Sequence, residues 1–398
     1  MADRWRVGRL RDVATVNPSE APLAPEAPFV PMDAVEPGAR WPRYFEERRD
    51  RAGARARARD TIFSRITPCL ENGKVAQIPA AIARCGGSTE FIVVRAGPVV
   101  DPDYLYVWAT STVVRETATR LMTGTTGRQR LAGSDLASMT IPVPPLAEQR
   151  RLVDLMQALD DAIWSAISYT SAARTAYQTL AREVLQSDVR TRLGEVVEVR
   201  MGRQRSPNNA AGPYMVPYLR AANVRDGVLE VDDVLLMNFN PDEQRTFALE
   251  PGDVLVTEGC GTLGQLGASG QWHGELPGVT CFQNTVIRLR PRNGLTEPGF
   301  VHHLARHAHH AGWWASIASG TNIFHIGSRR AERMEVPVPD VATQTEIGAL
   351  LDDADEVVST AEAVVRRLRT LRSVLLTDLL SGGHDLPASY DRFLHGAA

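Results

Sequence analysis

At 398 residues, with 43% hydrophobic and 23% charged residues, the chain has room for two or three domains with cores of their own. A formal net charge of -3 does not mark a general polyanion binder, so any grip on phosphate must come from a local field. No run of about 18 apolar residues occurs and the N-terminus has no signal-like apolar stretch, so a cytoplasmic protein with no membrane association is expected.

Residues 1–145 read as a first head, in which short β-rich runs such as Phe91-Ile92-Val93-Val94 alternate with Gly/Pro turns. Arginines crowd its early part, at Arg43, Arg48, Arg49, Arg51, Arg55, Arg57 and Arg59. This run is either a phosphate-gripping loop or a solvated surface. A helix is expected over 102–121, followed by a polar turn, Thr123-Gly124-Thr125-Thr126-Gly127-Arg128-Gln129-Arg130. The cysteines Cys69, Cys85, Cys260 and Cys281 lack CxxC spacing, which argues for reduced thiols and against a zinc knuckle.

A spacer helix is expected over 146–188, a second head over 189–340, a second spacer helix over 341–382 and a C-terminal tail over 383–398, to which no role is given. Each helix carries a strict 3-4 apolar ladder. The first runs Leu152, Leu155, Leu159, Ala162, Ala166, Tyr169, Ala173, Ala176, Leu180; the second, 195 residues later, runs Ile347, Leu350, Ala354, Val357, Ala361, Val364, Leu368, Leu371, Leu375. The phrases Ile141-Pro142-Val143-Pro144 and Val336-Pro337-Val338-Pro339 precede them. The fold expected is therefore two tandem α/β (α+β) heads separated by two long helices in an antiparallel coiled coil, with pseudo-two-fold order. Small residues late in the first ladder face larger ones in the second, which favours pairing within one chain; a parallel homodimer is the alternative. The junction Pro339-Asp340-Val341-Ala342-Thr343-Gln344 lacks the Pro-Pro and Glu-Gln of Pro144-Pro145-Leu146-Ala147-Glu148-Gln149, which weakens any expectation that both helices dock partners equally.

Several phrases resemble the specificity subunit of type I restriction–modification systems. They include Arg65-Ile66-Thr67-Pro68-Cys69-Leu70-Glu71-Asn72-Gly73-Lys74, Phe29-Val30-Pro31-Met32-Asp33 and Pro142-Val143-Pro144-Pro145 in the first half. In the second half they include Val216-Pro217-Tyr218-Leu219-Arg220-Ala221-Ala222-Asn223 and Gly252-Asp253-Val254-Leu255-Val256. The resemblance covers nearly the whole chain, including its twofold organisation. It implies two target-recognition domains, each reading half of a bipartite double-stranded DNA target. It also implies helices that space the halves and dock two modification (methyltransferase) subunits, with restriction/translocase subunits completing the assembly. The specificity chain would have no catalytic residues, no metal and no cofactor of its own; S-adenosylmethionine, ATP and Mg²⁺ would sit on the partners. Candidate docking residues are Leu152, Leu155, Leu159, Ile347, Leu350, Val357, Val364, Leu368 and Leu371.

Candidate DNA contacts in the first head are Arg65, Thr67, Asn72 and Lys74, with Thr125, Thr126, Arg128 and Arg130. Arg and Asn are suited to bidentate reading of base edges, although Asn-Gly is also a turn former. Of 44 basic residues, 43 are arginine and Lys74 is the one lysine; a phosphate or base contact is favoured for it, with a bond to a loop carbonyl as the alternative. In the second head the candidates are Arg220, Asn223, Thr257, Glu258, Thr262, Asn322 and His325. Glu258 could accept from cytosine N4 or simply stabilise its turn. The cluster His302, His303, His307, His309, His310 lacks a completing ligand nearby and is read as a solvated or phosphate-facing helix rather than a metal site. Trp313 and Trp314 are read as core and interface, with base-stacking platforms as the alternative.

No Asn/Asp-Pro-Pro-aromatic motif and no P-loop occurs, and Asn72-Gly73-Lys74 puts an amide where a nuclease needs an acid. An enzyme is thus not expected. The rival reading is a DNA-binding module of another bacterial defence or regulatory system that works without a methylase.

Overall fold

The computed structural model describes residues 5–49, 52–125, 127–187, 189–260, 263–321, 323–382, 386–387 and 389. The chain divides into two compact units, Met1–Ala166 with Ala363–Ala398, and Ile167–Glu362. Each unit therefore holds one head together with part of both long helices, which span Leu146–Val184 and Val341–Leu380. No helix among the described residues is long and apolar enough to cross a membrane.

The two heads repeat one topology. In the first, an antiparallel sheet runs in the order Ala14–Val16, Phe91–Ala96, Thr61–Ser64, Val75–Gln77. In the second the order is Val197–Met201, Val286–Pro291, Val254–Thr257, Ser269–Gln271. A mixed sheet accompanies it in each, of four strands in the first head and three in the second, with a parallel pairing of Phe29 to Gly86 in one and Tyr218 to Cys281 in the other. The repeated Pro-containing phrases become the strands that close the heads. Thr140–Val143 pairs antiparallel with Arg6–Arg9, and Glu335–Pro337 with Arg190–Arg192.

Each main sheet is pinned by a buried ion pair. Arg95 donates to both oxygens of Asp60 at 2.8 and 2.6 Å, and Arg290 to both of Asp253 at 2.7 and 2.8 Å. Each aspartate also accepts from the main chain three residues earlier, at Arg57 and Glu250. Nearly sealed carboxylates need such full pairing, because an unpaired buried charge is strongly destabilising.

A second repeated device joins helix to head. Gln149 accepts from the Asp101 N–H at 2.7 Å and donates to the carbonyls of Val99 and Pro144. Gln344 does the same with the Glu297 N–H at 3.0 Å and the carbonyls of Leu295 and Pro339. The glutamine of the first junction is thus kept in the second, although the residues around it differ.

The helices run antiparallel. In the first unit Arg372 binds Asp160 at 2.5 and 3.0 Å, and in the second Arg174 binds Glu362 at 2.5 and 3.2 Å. Their buried faces are not the expected ladders. Leu152 is buried and Leu155, Leu159, Ile347 and Leu368 are partly buried, but Leu350, Val357, Val364 and Leu371 are all more than two fifths exposed. Tyr169 also points to solvent, and Thr170 and Tyr177 are buried in place of Tyr169 and Ala176. On the second helix Leu351, Val358, Val365 and Leu376 are buried, each one residue over from the ladder, while Ala361 is the one ladder position that is buried. The reason is that each helix packs on a head as well as on its partner. Leu152, Val153 and Met156 share a core with Tyr104, Trp108 and Leu376. Tyr177 and Ala181 share one with Phe300, Leu304 and Leu351. Two packing directions rotate the buried stripe away from the simple two-helix seam.

Leu351 and Leu350 therefore separate the two registers. We expect Leu351→Ala to cost about 2–5 kcal/mol in urea unfolding, whereas Leu350→Ala should stay within about 0.5 kcal/mol of the parent. The opposite order would restore the ladder register.

Candidate nucleic-acid interface

In the first unit the strand Thr61–Ser64 runs directly into the loop that carries Arg65, Thr67, Asn72 and Lys74. The loop folds back on itself, with Asn72 N–H donating to the Pro68 carbonyl at 2.9 Å and Lys74 N–H to that of Cys69 at 3.0 Å. Leu70 anchors it in the core. Gly73, at φ +74°, makes the turn that a side chain would strain. The hairpin of Thr123–Thr125 and Arg128–Arg130 is stitched to this loop. Thr67 N–H donates to the Gln129 carbonyl at 3.1 Å, Leu131 N–H to that of Arg65 at 2.8 Å, and Ile66 bridges to Arg130. Two segments some sixty residues apart in sequence thus form one surface, on which Asn72, Thr125, Arg128 and Arg130 are exposed.

Arg130 is held by Glu90 through three contacts of 2.7 to 3.1 Å. That bond lowers the Glu90 carboxyl against the opposing pull of burial. Lys74 has a different role from the favoured one. Its Nζ donates to the Met32 carbonyl at 3.0 Å, tying the loop to the neighbouring segment, which is the carbonyl-bonding alternative. The Thr67 hydroxyl is buried without a partner, so that group is not presented at the surface.

The second unit repeats the juxtaposition with other side chains. Strand Val254–Thr257 leads to Glu258, and Gly259–Cys260 then pairs antiparallel with Phe324–His325. Glu258 is buried; one oxygen lies 2.9 Å from His325 Nδ1 and the other accepts from the Gly327 N–H at 3.3 Å. A carboxylate so engaged stabilises its turn and is not open to cytosine. It presents His325 instead, whose ring is half exposed. A Cβ at Gly259 would come within 2.9 Å of that ring, which explains the glycine. Thr257 is buried in its strand.

Arg220 and Asn223 are also structural. Arg220 binds the Asp233 carboxylate at 2.7 Å, and buried Asn223 accepts from Arg220 while donating to the carbonyls of Glu230 and Asp233. With its bonds taken up in shaping this loop, Asn223 cannot read a base edge. Arg51, Thr126, Gly261, Thr262 and Asn322 lie outside the described residues.

Much of the early arginine run is engaged inside its own unit. Arg57 and Arg95 bind Glu20 at 2.7 and 2.6 Å, and Arg59 binds Asp103 at 2.9 Å. Most of the histidine cluster is buried rather than solvated: His302, His303 and His307 are buried and His309 partly so, while His310 is exposed. His303 bridges the Tyr177 hydroxyl at 2.8 Å and Asp352 at 2.9 Å, so it bonds the head to both long helices. Arg306, one turn on, binds Asp226 at 3.2 Å and Asp355 at 2.7 Å. Burial would raise the Asp226 carboxyl, but His310 and Arg306 together hold it well below the usual range. The matching signal in the sequence is the shared spacing of three, His303 with Arg306 and Asp352 with Asp355. Trp314 is core, its ring N–H donating to the Ala305 carbonyl at 3.0 Å. Among the described residues, no group of three or more His, Cys, Asp or Glu is placed to hold a metal ion.

Burial lowers His302 well below 6.5, and it lowers His303 despite the raising effect of Asp352. The unfolded chain therefore takes up protons first as pH falls through about 6.5, and stability of the second unit, complete above that value, should decline progressively below it. His302→Leu should flatten part of this dependence in unfolding curves recorded between pH 8 and 5; an unchanged slope would show that His302 does not titrate on unfolding.

Comparison with known proteins accords with this geometry. A sequence model described as the type I restriction modification DNA specificity domain matches residues 71–168 and 188–364, more than half of the chain. The StySPI specificity subunit of Salmonella potsdam is 24% identical over 173 residues, covering 42% of this chain and 36% of that protein. The EcoAI specificity subunit of Escherichia coli is 26% identical over 192 residues, covering 45% and 33%. The matched stretch thus spans about a third of the length of these curated relatives. A solved chain from the structural basis of complex assembly and conformational transition of the type I R-M system is 20% identical and has the same fold, with a TM-score of 0.59 over 95% of this chain and 97% of that one. With two matched regions that fall on its two repeated heads, the chain belongs to the type I restriction modification DNA specificity family.

Proposed function

We propose that this chain is the DNA-reading subunit of a type I restriction–modification assembly, with each head reading one half of a bipartite double-stranded target. The observation that carries this reading is the repeated juxtaposition. In both units the loop after the same sheet strand is joined by main-chain bonds to a second exposed segment, and the side chains on the joined surface differ between the two. A common frame with different exposed groups suits two recognition surfaces for two sequences. Asn72, Thr125, Arg128 and Arg130 are the first head's readers, and His325 belongs to the second's.

The exposed apolar residues of the second helix, Leu350 and Val357 in one unit and Val364 and Leu371 in the other, suit docking of modification subunits that leave this chain free of chemistry of its own. S-adenosylmethionine, ATP and Mg²⁺ then belong to the methyltransferase and translocase partners, and the assembly acts in the cytoplasm. The chain's part is to bind, orient and select.

The test is base-resolution methylation mapping of DNA from cells that express this chain with its methyltransferase, compared with deletion of this chain alone. The expected result is a bipartite methyladenine motif that disappears with the deletion. Methylation that persists unchanged while the methyltransferase is expressed would move the chain to a methylase-free DNA-binding module.

A further inference from the structure

Beside the reading face of the first unit lies a polar recess of about 330 Å³, lined in part by Asn17, Arg55, Arg65, Thr89 and Phe91. None of the residues lining it carries a carboxylate. The Arg65 Nε is buried within the protein and has no hydrogen-bond partner. A buried guanidinium N–H left without an acceptor is costly, and in folded proteins such a group calls for an ion, a water or a ligand. Arg55 is steadied by one bond, from a terminal nitrogen to the Glu20 carbonyl at 2.6 Å, which leaves its other N–H groups to the recess. Asn17 sits at φ +50°, with its amide oxygen taken by the Val93 N–H at 3.0 Å, so the donor end of the amide is what remains to it. Glu90, which follows Thr89 in the chain but does not line the recess, is bound by Arg130, and its carboxylate also feels the charge of Arg65.

Two guanidinium groups, an amide and a hydroxyl around a space whose lining carries no acid make a donor set for a tetrahedral oxyanion. Arg65 also connects the recess to the reading face, because its N–H donates to the Glu90 carbonyl at 2.9 Å and its carbonyl accepts from Leu131 beside the hairpin. We propose that this recess is a phosphate-binding site, with Arg65 and Arg55 as its cations, which takes a backbone phosphate of DNA and sets the register of the first head on the duplex. The assignment rests on the DNA-reading function. It also turns Arg65 from a reader of bases into a positioning residue, since phosphate contacts fix register and carry no sequence information of their own.

The experiment uses the full chain and two variants, Arg65→Lys, which keeps the charge but loses the planar fork, and Arg55→Ala on a surface strand. In the first arm, inorganic phosphate is titrated against thermal unfolding at constant ionic strength. We expect it to raise the melting temperature of the parent and to have a weaker effect on both variants. In the second arm, binding is measured against salt for a duplex carrying the mapped motif and for a scrambled duplex. The Arg55→Ala variant should bind both more weakly by the same factor, with a salt slope lower by about 1 and an unaltered motif. A phosphate response without any effect on DNA binding would assign the site to a free phosphate compound and overturn the backbone-anchor role. Altered preference at one base position, or no change in either arm, would overturn the site itself. If no bipartite motif is mapped, the DNA-reading function fails, and the phosphate arm alone decides whether the recess binds this anion.

Discussion

Gln149 and Gln344 are wholly buried where the two long helices leave their heads, and each uses its amide to bond three main-chain groups. The rest of each unit depends on this clamp, because it fixes the direction in which the helix departs from the sheet layers. Once that direction is set, Tyr104, Trp108 and Leu152 can share a core in one unit, and Phe300, Leu304 and Leu351 in the other. Neither helix is then a free rod. Its buried face is decided by a head and a partner helix together.

That shared packing explains what could and could not be read from the residues alone. The duplication, the two long helices and their antiparallel pairing were legible, because period and phrase repeat visibly at a spacing of 195 residues. The register of the seam was not. A ladder of Leu350, Val357, Val364 and Leu371 is as regular as one of Leu351, Val358 and Val365, and only tertiary contact with the head chooses between them. The same holds for side chains whose bonds reach far along the chain. Lys74 on Met32 and His303 between Tyr177 and Asp352 close over 42, 126 and 49 residues, distances at which local patterning carries no signal.

The candidate site was legible as segments but not as side-chain roles. The loop at 65–74 stood out by its resemblance to a family motif and the turn at 123–130 by composition, and the structure joins them through Thr67, Gln129 and Leu131. In the second head, however, residue type proved a poor guide. Asn223, Arg220 and Glu258 have the right chemistry to read bases, yet each meets its hydrogen-bonding needs internally. Burying a polar group demands partners, and where the fold supplies them the group is removed from the reading surface. What remains exposed on the first head's joined surface is a smaller set, Asn72, Thr125, Arg128 and Arg130.

The central claim is that each head reads its own half of the target through this joined surface. Its most direct test is methylation mapping with a chain in which Asn72, Thr125 and Arg128 are replaced together by alanine. Degeneracy confined to one half of the bipartite motif, with the other half and the gap between them unchanged, is the result the account predicts. Loss of preference in both halves together, or an unaltered motif, would contradict it.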